Sequence, residues 1–280
     1  MRIAIVGALI AAMVTVVGAP PAGATVKQRR SGPFMYVTGS DPAPAGDFTE
    51  TATCPPGFKL TGGGAGLGIA VTDPDDNSRI TTSFNNTTTS FRAGGLNDLA
   101  AGSHASIATA VCIKSTAPVV LDYFPNSGGA INDQPFRVSS GCQKAIGGGL
   151  DMGTPTSEEF LTASFPSSTS SWFVEGINES TTRAVEDTLI CLTQGRMKVR
   201  YVSRTVIVPP SRTRRVTAPC PGGFRVASGG FASGEFSHVL SSLPFDGADA
   251  DRAPDDGWKV SVRNEEADPQ AATAYAICMR

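Results

Sequence analysis

The stretch Cys220-Pro221-Gly222-Gly223-Phe224-Arg225-Val226-Ala227-Ser228-Gly229-Gly230-Phe231 decides how the chain is read, because much of it occurs earlier and a shortened version lies between the two. It appears as Cys54-Pro55-Pro56-Gly57-Phe58-Lys59-Leu60-Thr61-Gly62-Gly63-Gly64, and in shortened form as Cys142-Gln143-Lys144-Ala145-Ile146-Gly147-Gly148-Gly149. Self-similarity of this kind is the mark of a structural unit used more than once.

The same markers surround each copy in the same order. A tyrosine (Tyr36, Tyr123, Tyr201) precedes the first cysteine by 18 or 19 positions. A Ser-apolar pair follows the glycines: Ser83-Phe84, Ser164-Phe165 and Ser242-Leu243. Eight positions after the serine stands Phe91 or Trp172, and in the third copy an acidic insertion from Asp246 to Asp256 widens the gap to Trp258. Six positions further lies Asn97, Asn178 or Asn264, and each copy closes on a strand-like run holding Cys112, Cys191 or Cys278. These markers divide the chain into repeats 34–117, 121–195 and 199–280, each expected to form about five strands. Residues 25–33, polar around Lys27-Gln28-Arg29-Arg30, read as a flexible leader.

Ahead of the leader, Arg2, the apolar run Ile3 to Val17 and the small residues Ala22-Gly23-Ala24 have the three parts of a secretory signal peptide, residues 1–24. The run is shorter than the ~20 residues a spanning helix needs. The expectation is a secreted, extracellular protein with no transmembrane segment in its mature chain. Removal of Arg2 takes the formal charge from -2 to -3. Both signs are scattered, which argues against a nucleic-acid partner. The basic cluster of Arg196, Lys198, Arg200, Arg204, Arg212, Arg214 and Arg215 reads as a solvated strand edge.

With 31 glycines, 20 prolines and 7% aromatic residues, the composition is that of a turn-rich, all-β chain. No ten-residue stretch sustains a helical period, whereas runs such as Tyr201 to Val208 have strand character.

Six cysteines in an exported chain imply three disulfides. If equivalent cysteines pair equivalently, the bridges run within units or are handed cyclically to the next unit. The within-unit set Cys54–Cys112, Cys142–Cys191 and Cys220–Cys278 is expected, because the cyclic set must join Cys278 back to Cys54. Closing such a loop contributes about 4 kcal/mol in the chain-entropy model. A zinc site is disfavoured, since no C-x-x-C pair or nearby histidine accompanies these cysteines.

The glycine clusters lack a phosphate-loop register and read as bulges or close backbone approaches. Trp172 and Trp258 are candidate ligand platforms, as in lectins with several sites, although a core anchor is the commoner use of such aromatics. The repeated asparagines read as strand ends or turns, and Asn85, Asn86 and Asn178 sit in N-x-Ser/Thr sequons.

Catalytic chemistry finds little support. His104 and His238 occupy non-equivalent places without a nucleophile elbow or a metal-binding helix motif. Glu158-Glu159 and Asp75-Asp76 are carboxylate pairs, but neighbours on a strand point to opposite faces. Two acidic loops offer oxygen ligands for a metal: Asp73 and Asp75, which lack the later glycine and glutamate of a calcium loop, and Asp246, Asp249 and Asp251. No cofactor is expected.

On the Cys-Pro-x-Gly-Phe block, the glycines, the asparagine and the closing cysteine, the chain resembles uncharacterised secreted three-repeat proteins of high-GC Gram-positive bacteria. It is more distantly similar to the vitelline membrane outer layer proteins, whose three repeats carry a CPxG step, a later asparagine and a terminal cysteine. That resemblance implies a β-prism, three sheets around a pseudo-threefold axis, over residues 34–280. The units here are longer by a hairpin carrying Ser-Phe-Pro and the aromatic, the family's Asp-Asp-Thr-Ala-Leu-Asn run is absent, and no catalytic residue carries over. Three tandem small β-sandwiches are the competing architecture. The functional expectation is a non-catalytic binding or structural protein whose partner is an extracellular glycan or cell-envelope component. A polysaccharide hydrolase using loop carboxylates is the alternative, and a protease inhibitor presenting the 246–256 loop a third.

Overall fold

The computed structural model describes residues 25–68, 78–100, 104–117, 119–130, 134–151, 159–178, 183–247, 249 and 251–280. These residues form strands, turns and loops, without a helix. None therefore forms a helix long and apolar enough to cross a membrane.

The chain begins with β1 (Thr25–Ser31) and continues as three runs of six strands. The first run is β2 (Phe34–Pro42), β3 (Gly46–Thr53), β4 (Phe58–Leu67), β5 (Arg79–Asn85), β6 (Ser90–Asn97) and β7 (Ala105–Lys114). The second is β8 (Val119–Ala130), β9 (Gln134–Gly141), β10 (Ala145–Asp151), β11 (Glu159–Pro166), β12 (Ser171–Asn178) and β13 (Arg183–Gly195). The third is β14 (Val199–Val208), β15 (Thr213–Pro219), β16 (Arg225–Ala232), β17 (Ser237–Phe245), β18 (Gly257–Asn264) and β19 (Gln270–Met279).

The strands assemble into three sheets, in the orders β1-β2-β7-β4-β17-β18-β15, β3-β6-β5-β10-β13-β8 and β14-β19-β16-β11-β12-β9. Each sheet joins the first, sixth and third strands of one unit to the fourth, fifth and second strands of another. The joins are antiparallel: Ala65 pairs with Ser242, Leu150 with Ser83, and Phe231 with Ser164. The result is a pseudo-threefold β-prism. Three tandem sandwiches would have kept each unit's strands together, and the strand order rules them out.

One apolar cluster draws buried side chains from all three units, including Phe34, Phe91, Trp172, Phe231 and Trp258. The central strands approach so closely that side chains must be absent at set points. A Cβ on Gly63, Gly148 or Gly229 would lie within 3.0 Å of Phe91, Trp172 or Trp258 respectively. A Cβ on Gly64, Gly149 or Gly230 would meet the carbonyl of Ser242, Ser83 or Ser164 across the join between units. The third strand of each unit also carries a bulge against the sixth, between Leu60 and Gly62, Ala145 and Gly147, and Val226 and Ser228. Such bulges bend a strand and leave a backbone group out of the ladder.

Three disulfides, Cys54–Cys112, Cys142–Cys191 and Cys220–Cys278, each tie the loop before the third strand of a unit to its sixth. No cysteine is free. This usage belongs to an oxidising compartment.

Two expectations need correction. Each unit has six strands rather than five: β3, β9 and β15 are the additional ones. In β3 only Phe48 and Ala52 are buried, and Glu50 lies between them on the same face, so an edge strand of Asp, Thr and Glu carries little apolar signal. The leader is also not loose over its length. Thr25–Ser31 pairs with β2 through a two-residue turn at Gly32-Pro33, where Gly32 has φ +56°. Only Ser31 of β1 is buried, so backbone pairing to the edge of the first sheet, and not hydrophobic burial, orders it.

Candidate functional site: grooves at the unit junctions

At each bulge, one residue connects two units through both of its backbone polar groups. The N–H groups of Leu60, Ala145 and Val226 donate to the carbonyls of Thr88, Thr169 and Asp255, at 3.0, 3.0 and 2.8 Å. Their own carbonyls accept from the phenols of Tyr123, Tyr201 and Tyr36, at 2.6, 2.8 and 2.8 Å. The N–H groups of Cys54, Cys142 and Cys220 pin the same turns through Thr89, Ser170 and Asp256, each at 2.7 Å. The turn between a unit's fourth and fifth strands is thereby held close to the opening strand of the next unit.

Two of these junctions leave a groove between turn and strand. The first, about 320 Å³, lies between the turn after β5 and the strands β8 and β13, with Asn85, Thr88, Tyr123, Phe124 and Glu186 in its walls. The second, about 240 Å³, is lined by Ser168, Thr169, Tyr201, Ser203 and Tyr275. Tyr275 stacks on Phe165 at 4.5 Å between ring centroids.

At the third junction the tyrosine is covered. The inserted loop and β1 meet over Tyr36, which is 1% exposed. Asp255 pairs with Arg225 at 3.2 Å, and the Arg225 Nε donates to the Ser31 hydroxyl.

Burial raises all three phenol pKa values: Tyr201 to about 12, Tyr123 further, and Tyr36 well above the ordinary value, with the Asp255 charge adding to burial there. All three are hydrogen-bond donors at neutral pH.

The first groove has the more varied chemistry. The backbone N–H and the Nδ2 of Asn85 both donate to the Thr188 hydroxyl at 3.3 Å. Its Oδ1 is buried and has no hydrogen-bond partner among the described residues. The Phe124 ring is 47% exposed. Glu186 is exposed at the rim. An apolar ring face, an amide acceptor and a carboxylate acceptor together suit a ligand with hydroxyl donors and C–H faces.

The tryptophans are not ligand platforms. Trp172 and Trp258 are 2% and 0% exposed, and their indole N–H groups donate to Ser164 at 3.1 Å and Ser242 at 2.8 Å. Each covers a glycine of its own unit, so ring and glycine form one packing device. Asn97 and Asn264 are buried and donate to carbonyls of neighbouring loops, Ala43, Pro44, Val208 and Asp268. Among the sequon asparagines, Asn85 and Asn178 are buried and Asn86 is exposed.

The candidate metal residues divide. Asp73 and Asp75 lie outside the described residues, as do Asp76 and Glu158. Asp246, Asp249 and Asp251 place carboxylate oxygens within 4.8 Å of one another, and Asp249, Asp255 and Asp256 do likewise. Such oxygens could hold a hard divalent cation. Several already serve the loop itself: Asp249 accepts the Asp251 N–H at 3.1 Å, Asp251 that of Ala253 at 2.7 Å, and Asp256 that of Gly247 at 2.6 Å. The Asp246 carboxyl sits above its ordinary range, through desolvation and then through Asp249, Asp251 and Asp256. His104 is buried, whereas His238 sits beside Glu265 at 3.9 Å, so the two histidines have different settings.

The groove residues Phe124 and Glu186 were not anticipated. One signal was present: adjacent residues on a strand face opposite ways, so Tyr123-Phe124 cannot both point into the core. Compared with protein-family models and with curated proteins, the chain matches none.

Proposed function

We propose that the protein is a secreted, non-catalytic glycan-binding module, built from one stapled six-strand unit present three times, and that the first junction groove takes a neutral saccharide. The observation that carries this reading is the buried, unpartnered Asn85 Oδ1 beside the exposed Phe124 ring and the Glu186 carboxylate. Sugar hydroxyls would donate to the two acceptors while the C–H face of a ring lies on Phe124. The groove's about 320 Å³ is at the low end for small-molecule sites, which suits one or two sugar rings. Among the described lining residues Glu186 is the one carboxylate, whereas glycoside hydrolysis uses a pair. Export follows from residues 1–24 read as a signal peptide, together with three disulfides.

The test is a glycan array followed by calorimetry and a reducing-sugar assay. Binding without sugar release, weakened about tenfold by Phe124→Ala, is expected. Turnover lost on Glu186→Gln would establish the hydrolase instead. Binding that ignores Phe124→Ala would remove the groove from the account.

A further inference from the structure

The three edges of the prism, where the chain passes from one sheet to the next, differ sharply in charge. They are formed by β2 with β3, β8 with β9, and β14 with β15. The first carries Asp41, Asp47 and Glu50, and β1 lies along it with exposed Lys27, Arg29 and Arg30, so both signs meet there. The third carries Arg200 and Arg204 on β14, Arg212 in the turn, and Arg214 and Arg215 on β15. All five arginines are exposed. None makes an ion pair with a carboxylate among the described residues.

No Asp or Glu occurs between Asp187 and Glu235, so this edge has no neutralising residue in its own chain segment. Protection of an open edge would explain some charge. It does not explain why the second edge lacks it: β8 has no cation, and the one on β9, Arg137, pairs with Glu175 at 3.0 Å. Nor does it explain the use of arginine alone, whose planar fork suits bidentate contact with carboxylate and phosphate.

We propose that the β14–β15 edge is a docking ridge for a linear anionic polysaccharide bearing repeated carboxylate or phosphodiester groups. Arg200 and Arg204, four residues apart on one strand, set charges about 13 Å apart along the ridge. Arg212, Arg214 and Arg215 continue the charge around the corner onto the first sheet. This surface is separate from the junction groove, and its ligand binds through charge.

The experiment measures affinity of the full mature chain for polygalacturonate, poly(glycerol phosphate), uncharged amylose and phosphatidylglycerol vesicles. Polymer binding that weakens at least about tenfold as salt rises from roughly 50 to 500 mM is expected. The variant Arg200→Gln/Arg204→Gln/Arg214→Gln/Arg215→Gln should lose about tenfold or more, and the milder Arg204→Gln/Arg215→Gln serves should the first fold poorly. Preference for the carboxylate or the phosphate polymer identifies the anion, and either supports the ridge. Binding of neither polymer, unchanged affinity in the variants, or vesicle binding as tight as polymer binding would overturn it. Phe124→Ala leaves polyanion binding intact, so failure of the groove and failure of the ridge are told apart.

Discussion

Tyr123 of the second unit donates a 2.6 Å hydrogen bond to the carbonyl of Leu60 in the first, and the N–H of Leu60 donates to Thr88 in the turn facing that tyrosine. The bond recurs from Tyr201 to Ala145 and from Tyr36 to Val226, closing a ring of three contacts around the prism. The bulge frees the carbonyl, the next unit's tyrosine satisfies it, and the same residue positions the groove.

Replacing Tyr123 by phenylalanine leaves the Leu60 carbonyl without that donor. The expected cost is about 1–3 kcal/mol, because a buried polar group that loses its partner retains its desolvation penalty. Urea unfolding of Tyr123→Phe and Tyr36→Phe checks this. A midpoint indistinguishable from the parent would remove these bonds from the account of stability.

Glycine requirements separate by position. Gly229→Ala drives a methyl into Trp258 and the Tyr275 carbonyl and should destabilise by about 1–3 kcal/mol or more. Gly222→Ala meets nothing within 4 Å and should stay within about 0.5 kcal/mol of the parent. Equal effects at the two sites would contradict the packing described.

Loss of the bridge whose cysteines are 49 residues apart, through Cys142→Ser/Cys191→Ser, should cost about 4 kcal/mol. Non-reducing peptide mapping of the parent should recover Cys142 with Cys191, and recovery of Cys112 with Cys142 would refute the pairing.

Stability should fall on the alkaline side. A tyrosine whose folded pKa is raised binds its proton more tightly folded than unfolded. Its contribution is complete below about pH 10 and is lost as pH rises toward the folded values, about 12 for Tyr201. Chemical unfolding between about pH 9 and 11.5 should show this decline, less steeply in Tyr201→Phe. A flat profile would show that these phenols titrate as in free chains.

Burial, followed by the nearby Asp41 charge, raises the Glu50 carboxyl, and burial raises Asp255. A raised carboxyl favours the folded state at and below its ordinary range, and that contribution disappears as pH climbs through the folded value. The urea midpoint should therefore rise as pH is lowered from about 7 to about 5, with a smaller rise in Glu50→Gln. A midpoint that falls over this interval would reverse the sign assigned to both groups.

The prism was legible in the chain because its glycines, aromatics and cysteines recur in one order and each answers a local packing need. Gly229 lies under Trp258, and Cys220 reaches Cys278 within the same unit. Strand β3 was illegible because its buried residues are few, and β1 because edge pairing orders a sequence whose one apolar residue, Val26, is exposed. The grooves were out of reach for another reason. Tyr123 meets a residue 63 positions away and Tyr36 one 190 positions away, so the site exists only once different units share a sheet.

The most direct measurement is an NMR titration of residues 25–280 with the neutral oligosaccharide that scores highest on the array. The account predicts shift changes concentrated at Asn85, Thr88, Phe124 and Glu186, with about tenfold more sugar needed to reach them in Phe124→Ala. Changes centred on the 246–256 loop, or none at saturating sugar, would contradict it.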